Sequence, residues 1–100
     1  MAATPERKVK DKIKAILSKY GAYYAMPIGS GYGHAGVPDF LCCVSGHFFS
    51  VEAKAGKGKT TALQEAEMAK IKAAGGTTFV INEDNINQLQ EWLHARSKDE

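Results

Sequence analysis

Apolar residues between positions 9 and 20 recur every three or four residues, which predicts a first helix with one buried face. Thr4 is a suitable N-cap for this helix, Pro5 suits its first turn, and Gly21 ends it. After Gly21 the spacing changes, and the short run from Ala22 to Met26 predicts a strand. The chain is therefore expected to open with a helix followed by a strand.

Two longer apolar runs follow, one from Phe40 to Val44 and one from His47 to Val51, separated only by Ser45-Gly46. A serine–glycine break between two strand-like runs is typical of a β-hairpin. Side chains two apart on a strand share a face. Glu52 and Lys54, at the end of the second run, are therefore predicted to point the same way, and the apolar residues beside them the other way.

The second half of the chain predicts a helix, a strand and a last helix. Thr61 and Gln64 form a capping box for a helix over 61–74. β-branched and aromatic residues at 77–81 predict a strand, and helical spacing of apolar residues after 82–84 predicts the final helix. The predicted fold is α/β, in the order α-β-β-β-α-β-α, with helices flanking a mixed central sheet. A right-handed parallel crossover would join its last two strands.

The composition is that of one globular domain spanning residues 1–100. Hydrophobic residues make up 44% of the chain and charged residues 24%, as in folded rather than disordered proteins. No apolar run has the length of a membrane span and no signal-peptide pattern opens the chain, so we expect a cytoplasmic protein with no membrane partner. The adjacent Cys42 and Cys43 would face opposite ways on a strand, and we expect both to be reduced packing residues.

The net charge of +2 is distributed unevenly. Residues 1–20 carry six basic side chains against two acidic ones, a local charge of +4, whereas residues 83–100 carry two against five, a local charge of −3. A basic end and an acidic end suit a polyanion bound on one side, with Lys8 and Lys12 as candidate contacts. A basic helix is also commonly no more than a solvated surface.

The chemically informative side chains are those of Asp39, Glu52 and Lys54. A hairpin register that sets the start of one strand beside the end of the next brings Asp39 near Glu52. Two carboxylates and a backbone carbonyl, that of Ala53, are hard oxygen ligands suited to Mg²⁺ or Mn²⁺. Such an ion polarises a phosphoryl oxygen and acidifies a bound water, while Lys54 stabilises negative charge or orients that water.

Each of these residues, taken singly, also has an ordinary structural explanation. Glu52 and Lys54 can form an ion pair at the end of a strand, and Asp39 can be a turn residue after Pro38. Charged side chains are rare on buried strands without a reason, however. The three together therefore favour a functional site.

These motifs resemble those of known nucleases. Pro38-Asp39, a spacer of twelve residues and then Glu52-Ala53-Lys54 resemble the PD-(D/E)xK nuclease superfamily. The segment Gly36–Asp39, the segment Val51–Lys54, and Gln64 ten residues beyond the lysine resemble a VRR-NUC domain within that superfamily. The chain is similar to this domain from Glu6 to about Val80, which is most of its length.

The resemblance implies a restriction-endonuclease-like core and a metal-dependent deoxyribonuclease. It implies that a glutamate on the first helix joins the metal site, and Glu6 is the glutamate available there, although Glu6 also suits the positive end of the helix. It gives Gln64 a role near the attacking water or a phosphate, although the capping box also explains this residue.

The resemblance also bears on partners. Minimal stand-alone proteins similar to this one occur in phages and prophages and look like dimeric nucleases that cut branched DNA such as Holliday junctions. A two-fold pair of active sites suits the symmetric nicking of a four-way junction. The expected partners are therefore DNA, branched or double-stranded, and a second copy of the chain, with no small-molecule substrate.

Two glycine-rich segments formally match nucleotide-binding motifs. The segment Gly31–Gly36 has the spacing of a dinucleotide fingerprint, but it runs into a proline and a strand instead of opening a helix. It is either a flexible linker or a loop that admits a nucleic-acid backbone, with Tyr32 and His34 able to contact or stack on that ligand. The segment Lys57–Thr61 resembles part of a P-loop without its leading glycine. We expect it to be a basic turn in which Lys57 and Lys59 contact phosphates.

The leading hypothesis is a Mg²⁺- or Mn²⁺-dependent endonuclease with Asp39, Glu52, Lys54 and Gln64 as its catalytic residues. One alternative is a non-catalytic DNA-binding module of the same fold. The other is a small nucleotide-binding protein that uses the Lys57–Thr61 turn. Calorimetric titration of metal distinguishes the first alternative, and a thermal shift with ATP–Mg²⁺ tests the second.

Overall fold

A computed structural model describes residues 4–28 and 35–97, which form three helices and four strands. The predicted order α-β-β-β-α-β-α is confirmed, although the first strand and the second helix are each one residue shorter at both ends than predicted. The elements in chain order are α1 (Pro5–Lys19), β1 (Tyr23–Ala25), β2 (Phe40–Val44), β3 (His47–Ala53), α2 (Ala62–Ala73), β4 (Thr77–Ile81) and α3 (Ile86–Ser97).

The four strands form one mixed sheet in the order β1-β2-β3-β4. β1, β2 and β3 pair antiparallel, and β4 pairs parallel with β3. The predicted hairpin joins β2 to β3 through Ser45 and Gly46, whose φ angles are +48° and +81°. Such positive angles at both turn residues match the twist of the flanking strands. The turn thereby sets the register, in which Phe40 lies opposite Val51.

One face of the sheet carries the main core. α1 and α3 pack together on this face, as their predicted apolar sides require. From β3, alternate residues reach this core because the strand period is two. The fully or almost fully buried members are Val9, Ile13, Leu17, Phe40, Cys42, Val44, Phe49, Val51, Ala53, Ile81, Leu89 and Leu93.

The opposite face of the sheet is covered by α2, which the chain uses to cross from β3 to β4. Met68 is the buried apolar side chain of this helix. From β3, the residues that alternate with the core, Ser50 and Glu52, are also buried, at 0% and 3% exposure. A parallel strand is covered on both faces. Because β3 is covered in this way, its polar residues are withdrawn from water along with its apolar ones.

The ends of the helices follow the predicted capping residues. Thr4 accepts a hydrogen bond from the Arg7 backbone N–H at the start of α1. Before α3, the Asn82 side chain accepts from the backbone N–H groups of Asp84 and Asn85, which shapes the turn that leads into the helix. Within residues 4–28 and 35–97, no helix combines the length and apolar character that crossing a membrane would need.

Candidate active site

The hairpin places Asp39 directly beside the end of β3. Phe40 pairs with Val51, so the residue before Phe40 lies across from Glu52. Asp39 also contacts β3 directly, because its Oδ2 accepts a hydrogen bond of 2.8 Å from the backbone N–H of Ala53. The two acids therefore lie on neighbouring strands at the same end of the sheet.

Glu52 is the central side chain of the site. Its Oε2 accepts a 3.0 Å hydrogen bond from Nε2 of Gln64 and lies 3.4 Å from Nζ of Lys54. Its Oε1 is buried and has no hydrogen-bond partner among residues 4–28 and 35–97. Lys54 and Gln64, both predicted site residues, thus contact Glu52, and Asp39 lies on the neighbouring strand. The catalytic roles of the four residues stay a prediction.

The surroundings of Glu52 disfavour its charged form. Burial and, to a smaller extent, the neighbouring charge of Asp39 raise the pKa of Glu52, whereas Lys54 lowers it through charge and a hydrogen bond, as does the backbone of Asp39. The resulting pKa is about 7. The electrostatic effect of Asp39 on Glu52 reflects how close the two carboxyl groups lie. Lys54 lies beside Glu52, and a second lysine, Lys10, lies 3.6 Å from Asp39, so each of the two carboxyl groups has a cationic neighbour.

Gln64 uses the two ends of its amide for different purposes. Its Oε1 accepts from the Thr61 backbone N–H at 2.9 Å, and its own backbone N–H donates to Thr61 Oγ1, which completes the predicted capping box. Its Nε2 is left to donate to Glu52. The capping role of Gln64 is therefore confirmed, and the same side chain also contacts Glu52, while its role near a water or a phosphate stays a prediction.

Gly36 holds the segment that precedes Asp39 against the start of α2. Its φ is +88°, and a Cβ added there would overlap the carbonyl oxygen of Leu63. Only glycine combines this backbone conformation with so close a backbone approach. The contact connects the segment that carries Asp39 to the helix that carries Gln64.

The first helix contributes a lysine where the resemblance predicts a glutamate. Nζ of Lys10 lies 3.7 Å from Glu6 Oε2 and 3.6 Å from Asp39 Oδ1. Glu6 thus approaches the acids through Lys10. Whether Glu6 contacts a bound metal stays a prediction.

The residues present fit a hard divalent cation. The unpartnered Oε1 of buried Glu52 is an observation that needs an explanation, since buried polar atoms are normally hydrogen-bonded. In residues 4–28 and 35–97, no three His, Cys, Asp or Glu side chains form a group able to hold a metal ion. Asp39, Glu52 and the Ala53 carbonyl would therefore supply only part of a coordination sphere. Mg²⁺ commonly completes such a partial set with waters and substrate phosphates.

The lysines that were predicted to contact DNA lie in two separate parts of the structure. Lys57 and Lys59 are exposed in the turn that follows the site, and Lys8 and Lys12 are exposed on α1. Tyr32 and His34 lie outside the described residues. The four lysines are accessible to a polyanion, but their contact with DNA stays a prediction.

The turn that resembles a P-loop already binds groups of its own chain. The backbone N–H of Gly56 donates to Oε1 of Glu83 at 2.8 Å, and the Thr60 hydroxyl donates to Glu65. Hydrogen bonds from its own backbone N–H and from that of Gly56 lower the pKa of Glu83. Two groups in and next to this turn are thus engaged within the protein, and the nucleotide-binding alternative stays a prediction.

Sequence reasoning missed two residues of the site, Lys10 and Ser50. Lys10 follows Glu6 by four residues, which signals an ion pair along the helix but not its reach to Asp39. Ser50 shares the Glu52 face of β3, and its hydroxyl is also buried without a partner. The alternation of side chains along a strand predicts that Ser50 lies on that face. Only the packing of α2 shows that this face is buried away from water.

No protein-family model matches this chain, and a comparison with curated proteins finds no match either. The resemblance to VRR-NUC domains is therefore carried by the motif residues named above.

Proposed function

We propose that this protein is a metal-dependent deoxyribonuclease with a restriction-endonuclease-like core. One observation carries the proposal: Glu52, 3% exposed, has one oxygen with no hydrogen-bond partner among residues 4–28 and 35–97, beside a second carboxylate and a lysine. A buried carboxylate with one oxygen unpaired is costly, and an arrangement of this kind favours a functional origin. The sheet topology is compatible with such a core.

Each residue of the site would contribute a separate function. Asp39, Glu52 and the carbonyl of Ala53 would hold Mg²⁺ or Mn²⁺, which when bound polarises the phosphodiester and acidifies a water. Lys54, held beside Glu52, would orient the nucleophilic water or stabilise the negative charge that develops on the phosphate. Gln64 would keep Glu52 in place by its hydrogen bond. The exposed lysines at 57 and 59 would contact neighbouring phosphates.

Cleavage of plasmid DNA with Mg²⁺, with Mn²⁺ and with EDTA tests this proposal. We expect metal-dependent nicking that falls by about a hundredfold or more in Asp39→Asn and in Lys54→Met, since each removes a group needed in the transition state. Asp11→Asn and Lys72→Met change the same residue types at exposed helix positions and serve as matched controls. Wild-type cleavage no faster than that of Asp39→Asn would refute the catalytic proposal.

A further inference from the structure

Lys10 contacts one of the two acids of the proposed site from outside the motif. Both oxygens of Asp39 are thereby engaged, Oδ2 by the Ala53 N–H at 2.8 Å and Oδ1 by the lysine ammonium at 3.6 Å. The side chains of Lys10 and Asp39 are only 30% and 22% exposed, so the pair is partly shielded from solvent. A partly shielded ion pair is less weakened by salt than a surface one.

The position of Lys10 is in conflict with a divalent cation on Asp39. A dication at this carboxylate would repel the ammonium, because like charges a few ångströms apart interact unfavourably where water is partly excluded. The same carboxylate would then exchange a monovalent for a divalent counter-ion. Lys10 would have to leave Asp39 when metal binds.

Space for the displaced lysine lies next to it. A groove of about 580 Å³ is lined by Thr4, Pro5, Glu6, Arg7 and Lys10 from the start of α1 and by Ala55 just beyond the site. Arg7 and Lys10 outnumber Glu6 in its lining, so the groove is positively charged on balance. A lysine released from Asp39 into this groove is well placed to contact a DNA phosphate.

We infer that Lys10, which also lies 3.7 Å from Glu6 on its own helix, is a positioning residue that exchanges one partner for another: Asp39 when metal is absent and a backbone phosphate of DNA when metal is bound. This inference rests on the proposed function. Metal and DNA binding would then favour each other, because the divalent ion releases the cation that DNA needs. The same residue would suppress metal binding when no substrate is present.

Calorimetric titration with Mn²⁺ tests the first half of the inference. Lys10→Gln removes the competing charge and should bind Mn²⁺ about tenfold more tightly than wild type, a size set by one unit charge at close range. Lys10→Arg keeps the charge and should bind like wild type. Lys14→Gln is the matched control, since Lys14 lies on the same helix and pairs with Asp11 at 3.9 Å.

The second half of the inference is tested by measuring the binding of a fluorescein-labelled DNA duplex in the presence of Ca²⁺. Ca²⁺ is used because it can occupy a metal site without DNA cleavage being required. Lys10→Gln should weaken DNA binding several-fold and reduce the salt dependence by about one released counter-ion. Tighter Mn²⁺ binding together with weaker DNA binding in the same variant is the expected signature.

The possible results separate this inference from the proposed function. If wild type binds Mn²⁺ but Lys10→Gln binds it no more tightly, the inference is wrong and the nuclease proposal stands. If Lys14→Gln reproduces the gain, the effect is one of general charge and the inference is again wrong. If neither wild type nor Lys10→Gln binds Mn²⁺, both proposals fail.

Discussion

At the scale of single residues, Glu52 lies in an environment that is unfavourable for a carboxylate. It is buried at 3% exposure, one of its oxygens has no hydrogen-bond partner within residues 4–28 and 35–97, and a second carboxylate lies nearby. An apolar or amide side chain in the same place would avoid this cost. A cation bound at Glu52, as proposed above, would offset this cost.

The cost of burying the charged form of Glu52 predicts how the stability of the protein depends on pH. The pKa of Glu52 is raised to about 7 in the folded protein from an ordinary value of 4.5. The folded state then binds the proton more tightly than the unfolded state, so this group's favourable contribution is complete below about pH 4.5 and is lost as pH rises through 7. Without metal, wild type should lose up to about 3 kcal/mol from this group between pH 5 and pH 8.

Urea unfolding in EDTA at several pH values, compared between wild type and Glu52→Gln, isolates this contribution. The free energy of unfolding of the variant should increase relative to that of wild type as pH rises, because the amide of the variant does not ionise. Glu91→Gln, at an exposed position of α3, is the control and should show no such trend. A constant difference between wild type and Glu52→Gln from pH 5 to pH 8 would mean that the Glu52 carboxyl titrates normally.

At the scale of elements, the site depends on how α2 sits against the segment before β2. Gly36 makes this contact through its backbone, with no side chain between it and Leu63. α2 in turn places Gln64 beside Glu52. A substitution at Gly36 is therefore expected to affect the site by shifting α2, which carries Gln64.

Gly36→Ala should destabilise the protein more than Gly46→Ala. Both glycines have similar positive φ angles, +88° and +81°, so both substitutions carry the cost of about 1–2 kcal/mol of that conformation. A Cβ at Gly46 meets nothing within 4 Å, whereas one at Gly36 overlaps the Leu63 backbone and should add about 1–3 kcal/mol. Equal losses of unfolding free energy in urea would contradict the close approach.

The elements themselves were largely predictable, because each depends on local patterns. The capping box of Thr61 and Gln64, the turn at Ser45-Gly46 and the apolar face of α1 all lie where the sequence indicates. The end residues of β1 and α2 were less accurate because the outermost residues serve as caps and connections. The contact between Gly36 and Leu63 was not predictable, since it joins segments far apart in sequence.

At the scale of the whole molecule, size limits what one copy can recognise. The protein measures 39 × 35 × 23 Å, so its longest dimension spans about eleven base pairs at 3.4 Å each. Reading a base sequence needs several side chains placed in a groove. Recognition of DNA structure by two copies suits a body of this size better, as the resemblance to junction-cutting nucleases also implies.

We therefore predict a dimer that prefers branched DNA. Sedimentation at micromolar concentration should give twice the mass of one chain, and four-way junctions should be cut faster than linear duplex of the same sequence. Tyr23 at 72% and Ile28 at 83% exposure show that apolar surface is available for association. A monomer that cleaves junction and duplex equally well would count against this prediction while leaving metal-dependent cleavage intact.

The sequence by itself determined the order of the elements, the hairpin and the meeting of Asp39, Glu52 and Lys54. These follow from the two-residue period of strands and from a turn that sets one register, both of which are local properties. Only the tertiary structure decided that Glu52 is buried without a full set of partners, that Gln64 reaches it and that Lys10 faces Asp39. Those features arise where α1 and α2 pack against opposite faces of one strand. They could not be predicted because side chains that meet from distant parts of the chain leave no periodic signal in the sequence.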